Sequence, residues 1–226
     1  PVGDNSTKFT GTFDGLDHTI SNLTIERPST DYVGLFGFAH GAEIKNLGLE
    51  GGSVSGKKNV GGLVGRNATS TITNAYVTGN VRGHAYFVGG LVGYNDGSSE
   101  ITDAYATGAV EGDEYVGGLV GRNDHSTITD AYATGDVSGS TMIVGGLVGF
   151  NNHHSTIADA YATGDVSVGY YSVGGLVGIN KFSSTITNAY ATGHVSGSVS
   201  GGLVGKNDGS TITDAYATGD VSGNTK

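Results

Sequence analysis

Residues 117–137 read GGLVGRNDHSTITDAYATGDV, and close copies of this unit recur along most of the chain. The pentapeptide Gly-Gly-Leu-Val-Gly occurs six times, at spacings of 27 to 29 residues. Its copies begin at Gly61, Gly89, Gly117, Gly145, Gly174 and Gly201. A degenerate copy, VGLFG at residues 33–37, lies one period earlier. A fixed period of about 20–50 residues indicates a solenoid, a propeller or another repeat array.

The content of each unit favours a solenoid. Its segments are short and rich in Val, Ile, Thr and Tyr, and Gly, Asn, Asp and Ser separate them, which is typical of strands and turns. A propeller blade needs about 40–45 residues, whereas a unit of 28 residues suits one coil of a solenoid. We therefore predict an all-β parallel β-helix (β-solenoid) of seven to eight coils, with about 28 residues and two or three short strands per coil. Residues 1–32 are expected to form an atypical first coil or lead-in, and residues 33–226 the regular repeats.

The repeat also predicts which columns of side chains are buried. Leu119, Ile128 and Val137 represent three apolar columns that we expect to face inward. The asparagine two residues after each pentapeptide, such as Asn123, is expected to turn the chain and to hydrogen-bond its neighbours from coil to coil. The doubled glycines are expected either to take positive φ or to allow close approach of the backbone.

The tyrosine column can be placed in two ways, because strand alternation sets Tyr76 opposite Ala75 and Val77. If the alanines face inward, the tyrosines form an exposed aromatic stripe that can stack on sugar rings. If the tyrosines face inward, they fill the core. The small size of the Ala-x-Ala pair favours the exposed stripe, whose members are Tyr76, Tyr105, Tyr132, Tyr161, Tyr190 and Tyr216.

Threonines flank the inward isoleucine and form a second candidate ligand surface. With Ile72 inward, its two threonine neighbours point outward together, and a regular Thr-x-Thr array is similar to the ice-binding face of some antifreeze proteins. The alternative is that threonine simply suits an exposed strand. The array is broken at Glu100 and Ala158, and its members are Thr71, Thr73, Thr127, Thr129, Thr185, Thr187, Thr211 and Thr213.

An acidic column precedes the tyrosines and is a candidate site for calcium. Stacked carboxylates repel one another, so calcium would stabilise them. The competing interpretation is turn chemistry, because Asp and Asn alternate in this column and both suit turns. The calcium candidates are Asp103, Asp130, Asp159 and Asp214, and no other cofactor is expected.

Composition excludes several classes of protein. The chain of 226 residues has 42 glycines without the three-residue period of collagen, and no cysteine for a disulfide scaffold. It has no apolar run long enough to span a membrane, so membrane insertion is not expected. The net charge of -10 without a basic patch argues against nucleic acid as a partner.

The sequence lacks the motifs of an enzyme, and we expect the chain to have no catalytic activity. His-Glu-x-x-His is absent, and serines and histidines occur at repeated turn positions without a unique cluster. His125 and His153 or His154 follow the asparagines of successive coils and could approach one another around a metal, although exposed turn histidines are the simpler interpretation. Arg66 and Arg122 share a column with aromatic residues, which indicates surface variation.

The Gly-Gly-Leu-Val-Gly units, together with Ile-Thr-Asn-Ala-Tyr-Val-Thr-Gly at residues 72–79, resemble the GLUG motif. Residues 9–20 are similar to the lead-in that often precedes such repeats. The resemblance implies a right-handed β-solenoid. It also implies a secreted or surface-attached bacterial or archaeal protein, such as haemagglutinin-like adhesins or the non-catalytic parts of immunoglobulin A-cleaving metallopeptidases.

We therefore expect a non-enzymatic structural and adhesive module of an exported cell-surface protein, a rigid spacer with carbohydrate or a cell surface as its partner. An ice-binding protein that uses the Thr-x-Thr array is the first alternative. A fibre subunit that self-associates through its coil ends is the second. Because the chain begins at Pro1 without Met and stops inside a repeat, we expect a piece of a longer secreted or surface protein.

Overall fold

The computed structural model describes residues 1–169 and 171–223 and is a parallel β-solenoid of eight coils. Each regular coil contributes four short strands, one to each of four parallel sheets, rather than the two or three strands that we predicted. Among the described residues there is no helix that could cross a membrane. The predicted fold class and the period of about 28 residues are confirmed.

Sheet 1 contains the longest strands of the regular coils and carries the threonine and tyrosine columns. Its strands are β1 (Thr12–Ser21), β4 (Glu43–Glu50), β8 (Thr71–Val77), β12 (Glu100–Ala106), β16 (Thr127–Ala133), β20 (Thr156–Ala162), β24 (Thr185–Ala191) and β28 (Thr211–Ala217). Sheet 2 follows it in each coil. Its strands are β2 (Thr24–Arg27), β5 (Ser53–Gly56), β9 (Asn80–Gly83), β13 (Val110–Gly112), β17 (Val137–Gly139), β21 (Val166–Val168), β25 (Val195–Gly197) and β29 (Val221–Gly223).

Sheets 3 and 4 lie on either side of the Gly-Gly-Leu turn. Sheet 3 consists of β6 (Val60–Gly61), β10 (Tyr86–Gly89), β14 (Glu114–Gly117), β18 (Val144–Gly145), β22 (Ser172–Gly174) and β26 (Val199–Gly201). Sheet 4 consists of β3 (Phe36–His40), β7 (Val64–Ala68), β11 (Val92–Asp96), β15 (Val120–Asp124), β19 (Val148–Asn152), β23 (Val177–Lys181) and β27 (Val204–Asp208).

Neighbouring coils pair in a register that places equivalent residues of the repeat side by side. In sheet 1, Ile128 pairs with the isoleucines of the coils before and after it, and Tyr132 pairs with their tyrosines. A sequence period of one coil therefore becomes a column of like side chains along the solenoid axis. The parallel ladders between coils satisfy the backbone N–H and C=O groups that burial would otherwise leave unpaired.

The interior is divided into two apolar clusters. The larger one, between sheets 1 and 4, contains the leucine, isoleucine and alanine columns, and Leu119 and Ile128 are fully buried in it. The smaller one lies between sheets 2 and 3 and contains buried valines only, among them Val137 at 1 % exposure. These positions confirm the three columns that we predicted to face inward.

A row of asparagine side chains runs through the buried end of sheet 4. The Nδ2 of Asn123 donates to the Oδ1 of Asn151 at 3.0 Å, and its own Oδ1 accepts from the Nδ2 of Asn95 at 2.9 Å. The same bond joins every neighbouring pair from Asn67 to Asn207. The amide ladder is therefore confirmed. The expectation that these asparagines turn the chain is wrong, because each lies within a strand and positive φ falls nearby, for example at His125.

A serine column completes this polar interior and was missed in the sequence. The backbone N–H of each of these serines except the last donates to the Oγ of the next one along the axis, at 3.1 to 3.2 Å. Its members are Ser70, Ser99, Ser126, Ser155, Ser184 and Ser210. The constant serine two residues before the sheet 1 isoleucine of each of these six coils was the available signal.

The doubled glycines are required by close packing of backbone and not by positive φ. A Cβ on Gly118 would lie 2.1 Å from the carbonyl oxygen of Gly146 and 2.8 Å from the Cβ of Ala133. The pentapeptide glycines are absent from the set of described residues with positive φ. Of the two interpretations offered by the sequence, close approach of the backbone therefore applies. The glycines allow neighbouring walls of the solenoid to come into contact.

The N-terminal residues extend the same architecture. β1 pairs with β4 and β2 with β5, so these strands form the first coil. The ring of Phe36 contacts those of Phe9 and Phe13, at centroid distances of 4.9 and 5.3 Å. These aromatic side chains cover the apolar interior at this end of the solenoid.

We predict that Asn123→Leu lowers the free energy of unfolding by about 2–4 kcal/mol. It leaves the amide of Asn95 without its acceptor and that of Asn151 without its donor, and a buried group that loses its partner costs about 1–3 kcal/mol. Asn207→Leu is the comparison at the end of the described ladder, where only Asn180 among the ladder amides loses a partner, so we expect a smaller loss. Urea unfolding followed by circular dichroism measures both variants. Equal losses would contradict a stabilising role for the buried ladder.

Candidate functional site

The outer face of sheet 1 carries the predicted ligand residues, and we call it the threonine–tyrosine face. In β16 the side chains of Ile128, Ala131 and Ala133 point into the core with at most 2 % exposure. Those of Thr129 and Tyr132 point outward and are half-buried. The structure therefore places the alanines inside and the tyrosines outside, which is the arrangement that the size of the Ala-x-Ala pair favours.

This arrangement depends on one residue per coil with a left-handed backbone. Asp130 has a φ of 51°, and the equivalent Asp or Asn of every regular coil lies between 49° and 54°. Without this irregularity, strict alternation from an inward Ile128 would point Tyr132 inward as well. Because the left-handed residue interrupts the alternation, two consecutive side chains point outward, and every later side chain in the strand is moved to the opposite face.

The tyrosine rings stack on one another along the axis. Centroids of neighbouring rings are 4.8 to 5.3 Å apart, and their planes are within 8° of parallel. The ring faces between neighbours are therefore covered, and only the last ring, Tyr216, is largely exposed, at 57 %. The ring edges and hydroxyl groups are what the column presents to a ligand. This geometry corrects our expectation that the column stacks face-on with sugar rings.

Tyrosine ionisation is suppressed on this face. The hydroxyl of Tyr76 donates to a carboxylate oxygen of Glu50 at 2.8 Å, and this hydrogen bond raises the pKa of Tyr76 to about 12. Burial raises the pKa of Tyr105, Tyr132 and Tyr161. These phenols are therefore neutral hydrogen-bonding groups across the physiological range of pH.

The threonine array is in register from coil to coil. Thr71 and Thr127 flank Glu100 in one column, and Thr129 and Thr187 flank Ala158 in the other. Within the first column the Oγ1 of Thr185 donates to the Oγ1 of Thr156 at 3.2 Å. The array therefore consists of two aligned columns of hydroxyls, each interrupted once among the repeats from Thr71 to Thr213.

The acidic column consists of the residues with left-handed backbone just described. Asp103, Asp130, Asp159 and Asp214 are exposed. The amide of Asn188 donates to Asp159. Asn and Asp tolerate positive φ better than most residues, so the backbone explains why they alternate here. Calcium binding by this column stays a prediction.

Sheet 4 carries an arrangement that we interpreted as surface variation. The guanidinium of Arg66 lies 4.8 Å from the ring centroid of Phe38 and 5.3 Å from that of Tyr94. Arg122 lies 5.2 Å from Tyr94 and 5.6 Å from Phe150. The alternation of cation and aromatic ring down one column was the signal. Burial raises the pKa of Tyr94 to about 12.

The repeats of this chain match a known sequence motif. The model of the GLUG motif matches residues 56–82, 84–111, 112–138, 140–167, 169–196 and 196–222, which together cover most of the chain. Halomucin from Haloquadratum walsbyi is 45 % identical over 91 residues, which is 40 % of this chain and 1 % of Halomucin. The match thus spans a very small part of that relative.

A solved structure shows the same fold. A crystal structure of a Bacteroides ovatus protein, provisionally named an immunoglobulin A1 protease, superposes with a TM-score of 0.68. The superposition covers 91 % of this chain and 68 % of the other, at 23 % sequence identity. At that identity the likeness concerns the fold alone.

The tyrosine ladder predicts loss of stability at alkaline pH. The pKa of Tyr76 is about 12 in the folded chain and near 10 when the chain unfolds, so folding favours the protonated form. That stabilisation is fully present below pH 10 and is lost as the pH rises through about 12. We expect the urea concentration at the unfolding midpoint to fall over this interval of pH. The absorbance of the Tyr76 phenolate should appear at higher pH than that of an ordinary tyrosine. Glu50→Ala should lower the pKa of Tyr76, whereas Glu26→Ala on sheet 2 should leave it unchanged. A Tyr76 that titrates near 10 in the unsubstituted chain would contradict the bond to Glu50.

Proposed function

The chain belongs to the GLUG-motif family, and we propose that it is a rigid, non-catalytic repeat module of a surface protein whose threonine–tyrosine face contacts glycans. The similarity to Halomucin supports a place at the cell surface or outside the cell. The observation that carries the proposal is the repetition of a similar outward polar set in six successive coils of sheet 1, with Tyr in all six and Thr at most of the flanking positions.

Repetition supports a binding role over a catalytic one. A catalytic centre brings different groups to one reacting atom. Here tyrosine hydroxyls, most of the threonine hydroxyls, and carboxyl or amide groups return at equivalent positions, so successive coils offer similar contacts. Weak equivalent contacts along a rod add when the ligand is also a repeating polymer.

The chemistry of the face suits sugar hydroxyl groups. Threonine and tyrosine hydroxyls both donate and accept, and the exposed carboxylates of Asp103, Asp130 and Asp159 accept. Because the tyrosine faces are covered, we assign the contact to these polar groups and not to ring stacking.

Rigidity follows from the interior. The asparagine and serine ladders and the in-register sheets connect each coil to the next, so the outward columns keep their spacing. A ligand therefore meets a preformed row of groups, and little conformational entropy is lost on binding.

We predict that the double variant Tyr132→Phe, Tyr161→Phe reduces glycan binding about fivefold to a hundredfold. It removes two hydroxyls, each worth about 0.5–1.5 kcal/mol, and keeps the stacked rings. A glycan array identifies the ligand, and titration with that glycan gives the affinities. Tyr86→Phe is the control, because Tyr86 is 46 % exposed on sheet 3. Failure of every glycan to bind, or equal binding by the double variant, would overturn the proposal.

Ice binding is the second candidate, favoured by the two aligned threonine columns. Against it, Glu100 and Ala158 interrupt the columns, and Glu43 and Lys45 occupy them in the second coil. Neighbouring hydroxyls are spaced about 4.8 Å between coils and about 7 Å along a strand, which forms a lattice of limited extent.

Thermal hysteresis and the shape of ice crystals test this candidate directly. Under the glycan proposal we expect no effect on ice. If the chain shapes ice crystals and the Thr129→Leu, Thr187→Leu variant does not, the threonine columns are instead the ice-binding surface. Shaping that the variant retains would assign the effect to another face.

Self-association through coil ends is the third candidate. Among the described residues one edge of β28 has no partner strand, and this candidate requires that no further coil of the protein covers that edge. Such an edge can pair with another copy of the chain. Sedimentation velocity over a range of concentrations distinguishes growing oligomers from a monomer.

A further inference from the structure

We propose that Asp124, His125 and His153 form a binding site for one divalent transition-metal ion of the zinc class. The three residues lie where sheet 4 turns into sheet 1, in two neighbouring coils. The Nδ1 atoms of His125 and His153 lie 2.9 and 3.0 Å from the same oxygen, Oδ1 of Asp124. All three ligand atoms are within 4.8 Å of one another. The site is separate from the threonine–tyrosine face.

The separations are close to those of a metal site. Zinc bonds of about 2.0–2.1 Å in a tetrahedron hold ligand atoms about 3.3 Å apart. The oxygen-to-nitrogen distances of 2.9 and 3.0 Å therefore need to grow by only a few tenths of an ångström to admit an ion. Small rotations of exposed imidazoles provide such movement.

The backbone of the solenoid holds the two imidazoles in place. His125 and His153 have φ values of 51° and 47°, and their rings are parallel within 9° at a centroid distance of 5.0 Å. The ring of Phe182 in the next coil stacks on His153 at 4.8 Å. Thr69, in an earlier coil, has the same left-handed backbone, so the turn itself does not require histidine.

The carboxylate is positioned by groups behind it. The side chain of Asp124 is only 10 % exposed, and its Oδ2 accepts hydrogen bonds from Arg122 and, at 3.2 Å, from the hydroxyl of Tyr94. Its Oδ1 is thereby directed toward the imidazoles. Such outer partners orient metal ligands in known sites. The positive charge of Arg122 opposes a second cation, so we expect weaker binding than in a four-ligand structural zinc site.

A buried amide beside the site is incompletely paired. Asn152 is 1 % exposed, and its Nδ2 contacts the Nδ1 of His153. Its Oδ1 has no hydrogen-bond partner among the described residues. The side chain of Asn152 therefore packs directly against the imidazole of His153 from the buried side of the cluster.

The ligand types select the class of metal. Imidazole suits zinc, copper and nickel, whereas calcium and magnesium prefer sites made entirely of oxygen ligands. We therefore expect Zn²⁺ to bind and Ca²⁺ not to compete. The same comparison separates this site from the acidic column on sheet 1, for which calcium is the candidate.

Competition between the chain and a chromophoric zinc chelator tests the proposal. We expect one Zn²⁺ per chain, no displacement by excess Ca²⁺, and a loss of affinity of about tenfold or more in His125→Asn and in His153→Asn. His84→Asn is the matched control, an exposed histidine outside the cluster that should leave binding unchanged. Circular dichroism establishes that each variant keeps its strands.

NMR of the unsubstituted chain tests the metal site without depending on the folding of any variant. Sub-stoichiometric Zn²⁺ should shift the imidazole proton resonances of two of the seven histidines in the NMR spectrum. No saturable binding, shifts spread over all the histidines, or an equal loss in His84→Asn would overturn the site.

Discussion

The structure depends on one constraint, which is that every coil must present its backbone to the next coil in the same register. Parallel pairing in four sheets satisfies the backbone only if coils have nearly equal length and turn at equivalent positions. The amide ladder from Asn67 to Asn207 makes a slip in register costly. Such a slip would leave buried amides in several coils without hydrogen-bond partners at the same time. The ladder starts where the preceding coil has Ala39, and the Oδ1 of Asn67 has no hydrogen-bond partner among the described residues.

Within this arrangement of coils, the pentapeptide glycines and the residues with left-handed backbone have different structural roles. The pentapeptide glycines bring walls of neighbouring coils together, since a Cβ would collide with backbone carbonyl oxygens. The Asp or Asn of sheet 1 interrupts the alternation of side chains, which admits alanine to the core and places tyrosine outside. One position per coil thus determines which chemistry the longest face of the protein presents.

The outer surface is free to vary because the register is maintained from inside. The threonine–tyrosine face repeats nearly the same residues in six coils, which suits an extended and repetitive ligand. The turn between sheets 4 and 1 instead varies in sequence from coil to coil, and it contains one left-handed residue in some coils and two in others. Two imidazoles and a carboxylate meet there because neighbouring coils carry histidine at equivalent turns. Conserved columns and unique clusters can therefore coexist on one scaffold.

The sequence by itself determined the architecture, since a period of 28 residues with isoleucine, leucine and valine columns is compatible with few folds other than a solenoid. It also determined the buried apolar columns and the asparagine ladder, because repetition converts position in the unit into position along the axis. It did not determine the direction of the tyrosines, because alternation alone is ambiguous until the φ of Asp130 is known. Only the tertiary structure showed that the tyrosine faces are covered, that arginines lie between aromatic rings on sheet 4, and that both imidazoles meet one carboxylate oxygen. These features depend on side-chain directions and distances across coils, which the order of residues in one coil does not specify.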